Sequence, residues 1–305
     1  MNSAAVASML SASVGASAAE KISKSTPIAD CPVVDMRLRP IYPGFKEQFT
    51  IQACESCAAK AGMKTPESVL KQSDALMLKE MDEANVRIGV GLKRNMDNAE
   101  LVKMQDYFKG RIATMCVIDA SAPVDTNMEL IKKFCLNGPF KGIYLEPGRA
   151  RVTTQANAAR LFPLYQLCQE HDLVVGIMTG GNNSPNVLKT TDHSAIVEIA
   201  ATFPKLRLLM AHGGWPQVQE MLGIAYWYPN IYVEADMYMF GGAPGWREYV
   251  DAANGYLQDR FLFGSAYPLL PIGPCVAAYK EFFPKKEIYE KIMYKNAQRL
   301  LGLTI

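Results

Sequence analysis

Cysteine and histidine are too few and too scattered here for a zinc module. Of seven cysteines only Cys54 and Cys57 form a CxxC, and no second CxxC or Cys/His pair stands near to complete a site. An odd set of thiols in a long chain reads as reduced core or near-surface groups. Charge of one sign is missing too: 32 basic against 30 acidic residues leave a formal net charge of +2, far from the basic excess of a nucleic-acid binder. No run of about 18 apolar residues occurs, which excludes a spanning helix and predicts a soluble, cytoplasmic protein with no membrane partner. The Ala- and Ser-rich opening lacks the positive start and Leu-rich centre of a signal sequence, so residues 1–30 read as a flexible arm.

Apolar residues are plentiful, at 49% of the chain, enough for one large core. From residue 32 onward, short apolar runs alternate with amphipathic segments. The runs are VVDMR (33–37), VRIGVGL (86–92), RIATMCVI (111–118), KGIYLE (141–146), LVVGIM (173–178), LRLLMA (206–211), NIYVEA (230–235) and RFLFGS (260–265). Nearly continuous apolar runs suit parallel strands covered on both faces. Between them, ESVLKQSDALMLKEMDEAN, QANAARLFPLYQLCQEHD and HSAIVEIAATFP carry apolar residues at helical spacing. Eight such units predict an α/β, TIM-type (β/α)8 barrel over residues 31–305. An open doubly wound sheet is the rival, but the first βα turn has no glycine fingerprint for a dinucleotide.

In such a barrel the strand C-termini carry the chemistry. Several motifs resemble the amidohydrolase-related family, the branch holding aminocarboxymuconate-semialdehyde decarboxylase, resorcylate-type decarboxylases and pyrone-dicarboxylate lactonase. LMLKEMDEANV, FKGIYLEPG, LRLLMAHGGWP, DRFLFGSAYP and YEKIMYKNAQRLLGL match its elements in order. The resemblance implies a metal held by HxH after the first strand, histidines after the fifth and sixth, and an aspartate after the eighth. This chain departs from that set. The HxH positions hold Arg37 and Arg39, the fifth-strand position holds Met178, and the aspartate position holds Ala266; only His212 survives. Arginine has no acceptor atom and repels a cation, so no metal and no other cofactor is expected.

The chemistry must then rest on other residues. Arg37 and Arg39, two apart on a strand, point one way and suit a carboxylate, phosphate or enolate; alternatively they pair with Glu146, Glu234 or Asp236. Lys93, Arg94, Arg149 and Arg151 extend the positive field. His212 is a candidate general acid or base, Asp236 a second candidate base or an arginine partner, and Tyr267 a donor to an oxyanion or a core aromatic. Glu146, Met178, Trp215 and Tyr238 complete a substrate site. These residues predict a metal-independent hydrolase of a lactone or similar ester, acting on a small carboxylated, ring-derived or unsaturated anion. A metal-free decarboxylase or dehydratase, and a non-catalytic anion-binding protein, are the alternatives. The resemblance also implies a homo-oligomer.

Overall fold

Backbone groups in a parallel strand find partners only on neighbouring strands, so the apolar runs must assemble edge to edge before their amides are satisfied. In the computed structural model, which describes residues 28–44, 48–92, 96–181 and 186–305, they do so as nine short strands. These are β1 (Val33–Asp35), β2 (Val86–Val90), β3 (Ile112–Ala113), β4 (Cys116–Ile118), β5 (Gly142–Leu145), β6 (Val174–Met178), β7 (Leu208–Ala211), β8 (Ile231–Glu234) and β9 (Phe261–Leu262). All neighbours are parallel, in the orders β1-β2-β3 and β4 through β9. Nine arise from eight runs because the third is interrupted at Thr114 and Met115. The ring closes where the Met36 N–H donates to the Phe263 carbonyl at 2.9 Å and the Arg39 N–H to the Tyr267 carbonyl at 3.0 Å.

Two apolar layers result. The inner one fills the barrel with Val34, Met36, Ile88, Val90, Met115, Tyr144, Val174, Met178, Leu209 and Leu262. Ala297, Leu300 and Leu301, from the helix Asn296–Leu301, join this layer. Arg207, just ahead of β7, donates to the Arg299 and Leu300 carbonyls, which places that helix under the N-terminal mouth. Burying each leucine stabilises by about 1.5–3 kcal/mol. The larger outer layer lies between strands and surrounding helices.

The helical patterns resolve with local causes. ESVLKQSDALMLKEMDEAN forms two helices, Glu67–Lys71 and Asp74–Glu83, because Gln72 turns left-handed at φ 49° and Ser73 caps the second through its side chain. His193–Thr202 starts at the cap Asp192. No helix among the described residues is long and apolar enough to cross a membrane. The expected N-terminal arm lies, but for its last three residues, outside the described residues.

Candidate active site

At the C-terminal mouth the chain buries charge: Asp35, Arg37, Arg39, His212, Glu234 and Asp236 are each no more than 6% exposed. Such groups persist only when paired. Asp35, the last residue of β1, accepts from the Arg37 N–H at 3.0 Å and from the Ser265 N–H and Oγ at 3.0 and 2.5 Å. It thereby ties β1 to the segment after β9 and bends the chain so that Arg37 enters the barrel mouth.

The Arg37 guanidinium is held on three sides. Nη1 donates to the Tyr144 hydroxyl at 2.7 Å, Nη2 lies 2.8 Å from His212 Nε2, and Nε lies 3.6 Å from Asp236 Oδ2. Gly176 makes room for the Tyr144 ring, since an added Cβ there would approach its Cδ2 to 2.7 Å. Arginine can only donate, so His212 Nε2 is the acceptor and its proton sits on Nδ1. That Nδ1 lies 2.7 Å from Asp236 Oδ2, although the contact is poorly aligned as a hydrogen bond. Loose alignment is common before substrate arrives. The other Asp236 oxygen accepts from the Met237 N–H at 2.5 Å.

Strained backbone positions these groups. His212, Asp236 and Ala266, just beyond three successive strands, have φ of 67°, 38° and 65°. Left-handed residues other than glycine each cost about 1–3 kcal/mol and need support. Thr179 Oγ1 supplies it at His212 by donating to the Ala211 carbonyl at 2.9 Å and accepting from the Gly214 N–H at 3.1 Å. Tyr249 adds a bond to the Gly213 carbonyl at 2.8 Å, and a Cβ on Gly180 would come within 2.8 Å of His212 Cβ.

The environment sets proton affinities apart. Burial pushes His212 below 6.5, with Arg37 and Arg39 acting the same way and Asp236 opposing them, so the imidazole is neutral at pH 7. Burial opposes ionisation of Asp236, but His212, Arg37 and Arg39 together hold it below its ordinary 3.8. Glu234 goes the other way: burial, with Asp236 and Asp35 nearby, raises it well above 4.5 despite the two arginines. Its Oε1 is buried without a hydrogen-bond partner. Two carboxyl groups with affinities driven apart suit one proton acceptor and one donor.

Two cavities meet here. An inner chamber of about 10 Å³, room for a single water, is lined by Arg37, Arg39, Tyr144 and Glu234 over Met36, Val90, Met115 and Leu209. An outer cleft of about 340 Å³ is bounded by Val117, Ile118, Asp119, Glu146, Arg149, Ala150 and Arg151, a volume suited to a small organic molecule. Leu92 and Tyr144 border both.

Arg37, His212 and Asp236 therefore meet; Arg37 and Arg39 line the inner chamber while His212 and Asp236 lie behind Arg37, and the Arg39 guanidinium is 5.3 Å from the Phe49 ring. Arg149 and Glu146 face the outer cleft, their charged groups 4.0 Å apart. Trp215 and Tyr238 stack at 4.4 Å, and the Tyr238 ring meets His212 edge-on at 5.7 Å; they back the imidazole and line neither cavity. Met178 belongs to the apolar filling of the barrel. Arg94, with Lys93, lies outside the described residues. Of the two readings of Tyr267, the geometry fits the core aromatic and not the oxyanion donor. Its side chain is fully buried and its hydroxyl lies 2.8 Å from Ser68 Oγ, whose own proton goes to Glu80 at 2.5 Å. The tyrosine thus donates outward, to the helices 67–83, and lines neither cavity. Glu234 is expected from the sequence only as a partner of the arginines; a raised proton affinity is not, and its position at the end of β8 is the available signal.

The residues do not fit the divalent cation of the resemblance. A guanidinium lies against the one surviving histidine, and among the described residues no group of three His, Cys, Asp or Glu is placed to hold a metal ion.

Comparison with curated proteins finds no match. Among solved structures, an uncharacterised TIM-barrel protein from Bordetella bronchiseptica is 31% identical, with 89% of this chain and 99% of that one covered and a TM-score of 0.82. A 2,6-dihydroxybenzoate decarboxylase from Rhizobium is 13% identical (89% and 98% covered, TM-score 0.61). The 4-oxalomesaconate hydratase of Rhodopseudomonas palustris is 15% identical (88% and 95%, TM-score 0.60). These last two share the fold. The amidohydrolase family model matches residues 70–303, most of the chain, and the protein belongs to the amidohydrolase family.

Proposed function

We propose that the chain is a metal-independent hydrolase that opens a lactone or similar ester of a small carboxylated, ring-derived or unsaturated compound. The observation that carries this reading is the neutral His212, braced by Asp236 at 2.7 Å, beside a buried arginine. In this mechanism the substrate occupies the outer cleft with its acid group toward Arg37 and Arg39, and Arg149 adds charge at the rim. His212 Nε2 takes a proton from water, and Asp236 stabilises the imidazolium. The hydroxide adds to the carbonyl, whose oxyanion is stabilised by the arginines. Collapse breaks the ring C–O bond, and the leaving oxygen takes a proton from Glu234, which the imidazolium then replaces through solvent. Water and lactone give one hydroxy acid, with no other reactant.

The proton held by Glu234 also favours a second reading, a decarboxylase or dehydratase, in which that proton goes to a carbanion or a departing hydroxyl. The test is acid release from a panel of carboxylated lactones, with decarboxylation and dehydration followed in parallel. Chelator-treated protein should keep its activity, and His212→Asn and Asp236→Asn should each reduce kcat/KM by about 10²–10⁴. Retained turnover in both variants, or turnover that needs added metal, would overturn the mechanism. Tight acid binding with no conversion would identify an anion-binding protein instead.

A further inference from the structure

The only ring nitrogen of His212 able to accept a proton is not open to substrate, because Arg37 Nη2 already donates to it at 2.8 Å. A base cannot take a proton through a lone pair that is engaged, so the arrangement is an off state. The same guanidinium is the group best placed to receive an anion: it is 6% exposed, lines the inner chamber, and donates Nη1 to Tyr144, which with Leu92 also borders the outer cleft. Guanidinium binds a carboxylate through two parallel N–H groups, and here those two edges are held by His212 and Tyr144.

We infer that Arg37 is a latch on the base, and that a carboxylate arriving from the outer cleft draws its two Nη groups off His212 and Tyr144, exposing Nε2 as it binds. The ligand class is a planar oxyanion. The latch deepens the proposed hydrolytic reading by making negative charge on the substrate a requirement for turnover as well as for affinity. Chamber size agrees: about 10 Å³ admits a water but no carboxylate, so Arg37 or Tyr144 must move for the anion to enter.

The groups around the imidazole decide the sign of the effect. Asp236 faces Nδ1, Arg37 and Arg39 face it from the end of β1, and Tyr238 presents its ring edge. Of these, the arginines disfavour the imidazolium. When an anion neutralises Arg37 and withdraws it, Asp236 is left to favour protonation, so the His212 titration must move upward.

The chain has three histidines, and His171 and His193 lie on peripheral helical segments, so imidazole resonances can be followed singly. In protein labelled with ¹⁵N-histidine and titrated with benzoate, which has nothing to hydrolyse, the His212 Nε2 signal should shift on binding. Its titration midpoint should rise by about one pH unit or more. In Arg37→Gln the midpoint should already be high without benzoate and should not respond to it. Benzoate binding that leaves His212 unmoved in the wild type, or failure of benzoate to bind at any concentration, overturns the latch. The readout needs no turnover, so an inactive protein whose His212 still responds removes the proposed reaction and leaves the latch standing.

Discussion

Glu234→Gln exchanges a neutral carboxylic acid for an amide of the same shape, and the consequence should be a stability difference that grows with pH. In the folded protein burial raises Glu234 well above 4.5, with Asp236 and Asp35 adding to the effect. In the unfolded chain it ionises near 4.5. Between those two values the folded state carries a proton that the unfolded state has released, so the stability this group contributes is fully present below about 4.5 and is lost as pH rises toward the folded value. The loss is about 1.4 kcal/mol for each pH unit. Glutamine has no such proton, and the variant should gain on the wild type by that amount per unit before levelling off. Urea unfolding of both proteins at a series of pH values from 4 to 8 measures the difference directly. A flat difference, or one that shrinks with pH, would show that Glu234 is ionised in the folded protein and would remove its role as proton donor.

Three further outcomes are expected. Because His212 is held below 6.5, kcat/KM for an ester substrate should stay level through that pH on acidification and fall only below it; an acid limb centred above 6.5 contradicts the neutral-base reading. Arg37→Met leaves Asp236 and Tyr144 without their buried cation and should lower stability by about 3–5 kcal/mol in chemical denaturation, where a loss below about 1 kcal/mol would mean the pairing is weak. Tyr267→Phe removes one bond to Ser68 and should lower stability by about 0.5–1.5 kcal/mol with kcat unchanged, whereas a large fall in kcat would return the hydroxyl to the reaction.

The barrel was legible because a strand covered on both faces has no polar positions to disguise it; all eight apolar runs became strands. The break at Thr114–Met115 was not, since a one-turn irregularity leaves no trace in hydropathy. Arg37 and Arg39 stand out by strand alternation, yet β1 ends at Asp35, and what brings the guanidinium inward is the carboxylate of Asp35 gripping Ser265, a neighbour across the ring closure that is remote in the chain. The sequence offers Glu234 only as an arginine partner, and its held proton is illegible for the same kind of reason. Its charge state depends on neighbours from β1 and the segment after β8, and no local pattern encodes such a meeting. The position of Tyr267 after the eighth run leaves both of its readings open, because the partner that meets its hydroxyl, Ser68, is remote in the chain.

The helix Asn296–Leu301 gives the barrel a stopper made from the far end of the described chain. A ribosome delivers β1 early, but the strand β9 that closes the ring and the stopper come late and close together in the chain. Until that helix docks, the apolar filling has no cover at its lower end. Shortening the chain ahead of Leu300 should yield a product that aggregates rather than a smaller enzyme, and a bulky fusion directly after the helix should hinder sealing more than one placed at the opposite terminus.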